Sequence, residues 1–545
     1  GHLKYPSPIE YRSEVVMNKS YFDVVIVGSG AAGCVVADYL ATNTQASIAV
    51  LEAGKTDLDP MIHIPAGYSE ILAKDKHVWL YETVPQHGHV QKFRMGKVVG
   101  GGTSINAMCY VRGQKRDFDT WQQSVNDEEW SYDSLWKTFV EQENNDTFHN
   151  KNHGISGNLS VQLPHGINKL NQYCMKAFQE FGLPYNPDYN GDSQFGVSPV
   201  QSNIGDQKRC SAVVAHLQRH IDSERVVVLT NHTVTKILFD GDDANGVEVD
   251  VQGKMKVISA GLVILSAGAV QSPKILMHSG IGPKEELNKF SIPVKVDLPG
   301  VGNNLQDHPV VTVSAYVKGK LGYQQSAVGF GMINTGIKYI ISKDGPAAGN
   351  GLESVSYWNP VGGGTDPTVQ CYHEPIISTN RLSPTGTRSG ITFALIVLQP
   401  RSKGWVRLAD NDPLSMPLIN PNFMMEEYDI NTAVQAVKDI RKVMKQQSLC
   451  DLIEEEVMPG SNIKSDEQIA DFVKSVATTM FHPVGTCKMG TDKDSVVDSN
   501  LKVHGVNKLH VIDASIMPAI TSGNTNAPTQ ALALIGAKKV KNTYF

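Results

Sequence analysis

The stretch DVVIVGSGAAGCVVADYL, Asp23 to Leu40, reads as a strand, a tight turn and a helix. Val24 to Val27 form a short β-branched apolar run suited to a parallel strand buried on both faces, and Ala37 to Leu40 continue at helical spacing. Between them lie Gly28, Ser29, Gly30, Ala31, Ala32 and Gly33. Gly28 permits the turn, Gly30 lets backbone approach a pyrophosphate, and Gly33 lets the helix lie close on the strand. About twenty residues on, Ser47 to Leu51 make a second apolar run ending in Glu52 and Ala53, with the carboxylate suited to accept from a ribose 2′-hydroxyl. Together these predict an adenine dinucleotide site in a Rossmann-like domain. The motif alone does not separate FAD from NAD.

The 545 residues are 41% hydrophobic and 19% charged, which describes a globular chain long enough for two domains or a large α/β core with insertions. A formal net charge of -6 supplies no basic field, so no nucleic-acid partner is expected. No run approaches the ~18 apolar residues that would span a membrane. Residues Gly1 to Asp23 hold no apolar signal core, although a start at Gly1 points to a tag or to processing, which leaves export of a precursor open. The seven cysteines, scattered and without CxxC, read as reduced core thiols of a cytoplasmic protein, peripheral membrane association staying open. His87 with His89, or His149 with His153, lack thiolate or carboxylate partners at ligand spacing. They read as solvated loop histidines, and no metal is expected.

After Glu52 the pattern breaks at Pro60, Pro65 and Gly67, an excursion that ends in GKVVGGGTSINAMCYVRGQKRDFD, Gly96 to Asp119. So many small residues before an asparagine suggest backbone held against a flat or anionic ligand. GLVILSAGAVQSPKILMHSGIG, Gly261 to Gly282, repeats the logic of strand, glycine turn and helix. LPGVGNNLQDHP, Leu298 to Pro309, reads as a loop carrying Asp307 and His308. From Val310 to about Ala477 a sheet with helices on one side is expected, with Gly319 to Gly351 as a candidate lid. LHVIDASIMP, Leu509 to Pro518, returns as a buried strand before a loop and an apolar helix. The expected α/β organisation is a Rossmann-like cofactor domain from residues 1–60, 96–130, 205–309 and 485–545, beside an α+β substrate domain of mostly antiparallel sheet from 61–95, 131–204 and 310–484.

On these residues the chain resembles the glucose-methanol-choline (GMC) family of FAD-dependent oxidoreductases, in its bacterial alcohol and choline dehydrogenase-like branch. The family's first signature is matched from Gly96 through Lys97, Gly100, Gly101, Gly102, Thr103, Ile105, Asn106, Tyr110 and Gly113, and its second from Gly268 through Ser272, Pro273, Ser279, Gly280 and Gly282. The resemblance runs from the first strand to the last helix and implies FAD. It implies FAD contacts from Gly96, Val98, Gly101, Gly102, Thr103, Val234, Ala267 and Gly268, with Asn106, Ala107 and Met108 against the flavin ring. Asp513 and Ala514 match the acid-containing turn beside the ribityl chain, and Asn526 and Ala527 the helix start near the isoalloxazine. His482, in MFHPVGTCKMG, matches the active-site histidine, and Asn524, in SGNTNAP, stands where members carry a histidine or an asparagine. Members with covalently attached flavin have a histidine at the position of Ile105, so noncovalent FAD is implied.

The chemistry accounts for these residue types without the family. As hydride leaves an alcohol carbon the hydroxyl must lose its proton, which a neutral imidazole is suited to accept, and an amide donor such as Asn524 can hold the developing alkoxide. The expected function is oxidation of a primary alcohol to the aldehyde, with oxygen or a quinone-type acceptor reoxidising the flavin. The alternative is a non-redox flavoprotein, hydroxynitrile lyase-like or photodecarboxylase-like, as the resemblance also allows. Glu353, in GNGLESVSYW, falls where choline-oxidising relatives place a glutamate, with Trp358 available for a cation contact and Phe481 beside the histidine.

Overall fold

Val24, Val25 and Ile26 are fully buried in the strand Tyr21–Val27, as a continuous apolar run requires when a parallel strand is covered on both faces. In the computed structural model, which describes residues 19–378 and 384–545, this strand pairs in parallel with Ile48–Leu51 on one side and Lys254–Leu265 on the other. The leader reading falls largely on residues 1–18, outside the described residues. Val226–Leu229 extends the sheet in parallel beyond Ile48–Leu51. Lys254–Leu265 is shared along its length: its first half pairs antiparallel with Asp243–Val251, and its last residues pair in parallel with Leu509–Val511. Strands far apart in sequence therefore meet on one sheet, with their C-terminal ends, Val27, Leu51 and Leu265, in register. In open α/β sheets that edge is where ligands sit.

The first turn is built as its glycines require. Gly28 has φ +101°, and a Cβ there would meet Ser266 O at 2.4 Å, while a Cβ at Gly33 would meet Gly28 O at 2.0 Å. The helix Ala31–Asn43 thus rests directly on the turn that precedes it.

The second sheet is antiparallel throughout, in the order Ile453–Met458, Pro309–Val317, Gly390–Val397, Val369–Glu374, Ser354–Trp358, Gly196–Pro199. Strand alternation splits its residues between two cores. Val311, Val313, Cys371 and Phe393 pack under the helices Lys169–Phe181, Glu427–Met444 and Asp466–Val476, whereas Val310, Tyr357, Tyr372, Ala394 and Ile396 join Cys109 and Val111 on the other face.

Three expectations are corrected. Helix Tyr132–Gln142 and strand Leu159–Val161 join the Rossmann-side core through Leu135, Phe139, Leu159 and Val161, not the substrate-side one. An amphipathic pattern says that a face is buried but not against which neighbour. His153 is not solvated: it is buried between Glu143 at 3.0 Å and Asp188 at 2.6 Å, and Glu143 in turn pairs with buried Arg112 at 2.7 Å. Six of the seven cysteines are buried and all are free, but Cys450 is exposed. Within Gly319 to Gly351 lies the helix Gly329–Ser342. Among the described residues no group of His, Cys, Asp and Glu is placed to hold a metal, and no helix is long and apolar enough to cross a membrane.

Candidate active site

Both glycine turns, the 101–108 segment and the loop before the last helix open on one cavity of about 770 Å³. Gly28, Ser29, Gly30, Ala31 and Ala32 line it with Glu52, Ala53 and Val234. Gly96, Gly101, Gly102, Thr103, Asn106, Ala107 and Met108 line it as well, as do Ala267, Gly268, Asp513, Ala514 and Asn526. Gly33, Val98 and Ala527 stand behind the lining: Gly33 inside its helix, Val98 packed with Ile62, Ile71 and Ile105, and Ala527 in the large core.

The donor set fits a dinucleotide. Helix Ala31–Asn43 begins at Gly30 with no side-chain cap, and helix Asn526–Tyr544 begins at Thr525 likewise, so two positive helix ends offer N–H groups at the cavity. Glu52 is buried and accepts from Ser29 Oγ at 2.6 Å and Gly54 N at 2.7 Å, which joins the first turn to the end of the second strand. Burial pushes its carboxyl pKa up against the pull of those hydrogen bonds. Asp513 does the same for the second turn, accepting from Gly268 N at 2.9 Å and Ser272 Oγ at 2.6 Å. Glu52→Ala is expected to weaken dinucleotide retention while the fold survives with excess cofactor. A variant that purifies with full cofactor and unchanged affinity would remove Glu52 from the site.

At His482 the hydrogen bonds specify a tautomer. His308 Nε2 lies 2.9 Å from Leu398 O and 3.0 Å from Thr521 O, both of which only accept, so Nε2 carries the proton. Burial lowers the His308 pKa to about 4, so at neutral pH its Nδ1 has no proton. It must then accept from His482 Nδ1, 2.8 Å away. In neutral His482, Nε2 is therefore the basic nitrogen, directed toward Asn524 Nδ2 at 3.5 Å. The Asn524 amide is oriented from its other end, since Oδ1 accepts from Tyr372 O–H at 2.6 Å. Asp307 holds the backbone, accepting from His482 N at 3.0 Å and from Thr479 Oγ1. Its burial raises the carboxyl pKa to about 7. Phe481 and Met108, both lining the cavity, have φ 63°. Strain of that kind, on the order of 1–3 kcal/mol per residue, persists where surrounding contacts over-determine it.

His482, Asn524 and Phe481 line the cavity together, whereas Glu353 and Trp358 are not among its lining residues. The Glu353 carboxylate accepts from Asn168 N and Nδ2, each at 3.0 Å. Trp358 donates to Asp439 at 2.9 Å inside the helix-covered core. The expected cation contact is withdrawn: sequence places both residues near the site, but strand alternation turns Trp358 to the far face. Asp307, His308 and Tyr372 had no assigned role in the sequence, although the LQDHP loop holds the first two. The rest of the wall is largely apolar and includes Leu72, Leu352, Pro375 and Ile376, with Met332, Tyr339 and Ile340 from helix Gly329–Ser342, but it also carries Glu374, Glu70, which pairs with Lys74, and Arg94, which pairs with Asp75.

Two family models described as GMC oxidoreductase match residues 22–310 and 400–533. The chain is 35% identical to the alcohol dehydrogenase (acceptor) of Pseudomonas putida over 94% of each chain. It is 33% identical to the mitochondrial choline dehydrogenase of Mus musculus, over 98% of this chain and 92% of that one. The crystal structure of pyridoxine 4-oxidase from Mesorbium loti superposes with a TM-score of 0.87 at 28% identity, covering 96% of this chain and 100% of that one.

Proposed function

This chain belongs to the GMC oxidoreductases, FAD-dependent enzymes acting on CH–OH donors, and from that premise we propose that it oxidises a primary alcohol to the aldehyde with His482 as the proton acceptor. The observation that carries the proposal is the chain from the Leu398 and Thr521 carbonyls through His308 to His482, which makes Nε2 the base on the cavity side. FAD, when bound, supplies the acceptor for the hydride. Everything else falls to side chains of this chain. His482 Nε2 takes the hydroxyl proton, a contribution of ~10² to 10⁴ in rate. Asn524 Nδ2 donates to the same oxygen as negative charge develops, and Tyr372 keeps that amide from turning over. The uncapped start of helix Asn526–Tyr544 places its positive end on the same side. Glu52, Asp513 and the two glycine turns would hold the dinucleotide.

The wall is largely apolar, Glu70 on it is already paired with Lys74, and Glu353 and Trp358 lie outside it, which supports an uncharged aliphatic or aromatic alcohol; a quaternary ammonium alcohol would have to rely on Glu374. Titrating the oxidised holoenzyme without oxygen is expected to bleach the flavin with uncharged alcohols at lower concentration than with choline. Bleaching by choline at the lower concentration would overturn the preference. Oxygen or a quinone-type compound would be the final electron acceptor in this reading.

Because Ile105 stands where a tethering histidine is found in some relatives, the FAD is held without a covalent bond. Acid precipitation and filtration should release yellow flavin into the filtrate. Colour retained in the pellet would refute it.

A further inference from the structure

Two arginines of the described residues are buried essentially completely, Arg112 and Arg209. Arg112 is neutralised by Glu143 at 2.7 Å. Arg209, in the two-residue strand Lys208–Arg209, makes no ion pair among the described residues. Its guanidinium donates from Nε to Ile62 O at 2.6 Å and from Nη1 to Thr103 O at 3.0 Å and Asn106 Oδ1 at 2.9 Å, while Nη2 is buried with no hydrogen-bond partner. Burial pulls its pKa down to about 9, which still leaves it charged at neutral pH. A buried cation without a counter-charge is costly, and its persistence calls for an anion supplied from outside the chain.

Thr103 and Asn106 line the cavity, so the charge sits one hydrogen bond behind the wall. Asn106 Oδ1 also accepts from Met108 N at 3.0 Å, which joins Arg209 to the backbone of the segment that carries Asn106, Ala107 and Met108. Oxidised flavin is neutral. When an alcohol gives its hydride to the ring and its hydroxyl proton to His482, the ring gains one negative charge. In a low-dielectric site that charge is strongly favoured by a fixed cation nearby.

We propose that Arg209 is a positioning and charge-setting residue whose counter-ion is the reduced flavin, so that it raises the reduction potential of bound FAD from behind the wall formed by Thr103 and Asn106. The proposal rests on the reading that FAD fills this cavity with its ring against Asn106 to Met108.

The test uses holoenzyme of wild type, Arg209→Met and Arg209→Lys, with two readouts independent of turnover. One is the flavin midpoint potential, and the other is the dissociation constant of sulfite, which adds to oxidised flavin and leaves the ring negative. In Arg209→Met the potential is expected to become more negative and sulfite to bind at least tenfold more weakly. Arg209→Lys should recover both at low pH and lose them as pH rises, because a buried amine gives up its proton well before a guanidinium. A purely structural clamp gives a different pattern: lysine cannot reproduce three hydrogen bonds, so it would not rescue. FAD-loaded Arg209→Met with wild-type potential and sulfite affinity overturns the proposal. Should Arg209→Met not retain FAD, the lysine variant decides, since FAD-loaded Arg209→Lys that binds sulfite as weakly at low pH as at high pH overturns it equally. Wild-type protein that binds no FAD would instead overturn the cavity assignment beneath it.

Discussion

Replacing His482 by Ala is expected to slow flavin reduction by an alcohol on the order of 10² or more, with FAD still bound. The substitution removes the side-chain nitrogen that the His308 chain leaves as an acceptor beside Asn524, whereas the glycine turns are held by Glu52 and Asp513. Cofactor retention and chemistry should therefore separate. Asn524→Ala is expected to slow the same step and weaken substrate binding, because it removes an orienting amide and leaves the base. The double variant should be less impaired than the product of the two, since both groups act on one oxygen. With neutral His482 as the base, the rate falls as pH falls. His308 does not blur that profile, because its pKa of about 4 keeps it neutral across the range. Asp307, at about 7, does titrate within the range, and Asp307→Asn removes its contribution while keeping an acceptor for His482 N. A His482→Ala enzyme that reduces its flavin at the wild-type rate would end this mechanism.

Gly33→Ala is expected to yield protein without FAD. A Cβ at Gly33 would lie 2.0 Å from Gly28 O, a backbone atom of the turn itself, and no rotamer change relieves that contact. Helix Ala31–Asn43 must move off the turn, which displaces the N–H groups of its first residues. The cost is on the order of 1–3 kcal/mol for overpacking a tolerant core, and larger where the obstacle is backbone. Gly166→Ala, where a Cβ meets nothing within 4 Å, is the matched control. Flavin content after purification is the readout, and a fully yellow Gly33→Ala protein would show that the turn is not the cofactor's cradle.

How much of this was legible in the residues depended on the range of the interaction. The turn from Gly28 to Gly33 and the acid at Glu52 are local patterns, and all but Gly33 line the cavity together with Asp513 and Asn526. His482 and His308 are 174 positions apart, and the carbonyls that fix the tautomer come from Leu398 and Thr521, so no spacing rule connects them. Tyr372 was hidden because its strand, Val369–Glu374, was not singled out in the sequence, and which of the strand's faces meets Asn524 is set by the whole sheet. The same ambiguity misplaced Trp358. Glu353 failed because an acid near a site is as readily held by neighbouring amides, here those of Asn168. His153 read as solvated because Glu143 and Asp188 approach it only in three dimensions.

The most direct test of the account is stopped-flow reduction of the holoenzyme flavin by saturating uncharged primary alcohols, without oxygen, across a pH series. Full bleaching within a single turnover is expected, at a rate that rises with pH to a plateau, the rise being lost together with most of the rate in His482→Ala. Flavin that stays oxidised with every alcohol offered, or a rate that falls as pH rises toward neutrality, would contradict it.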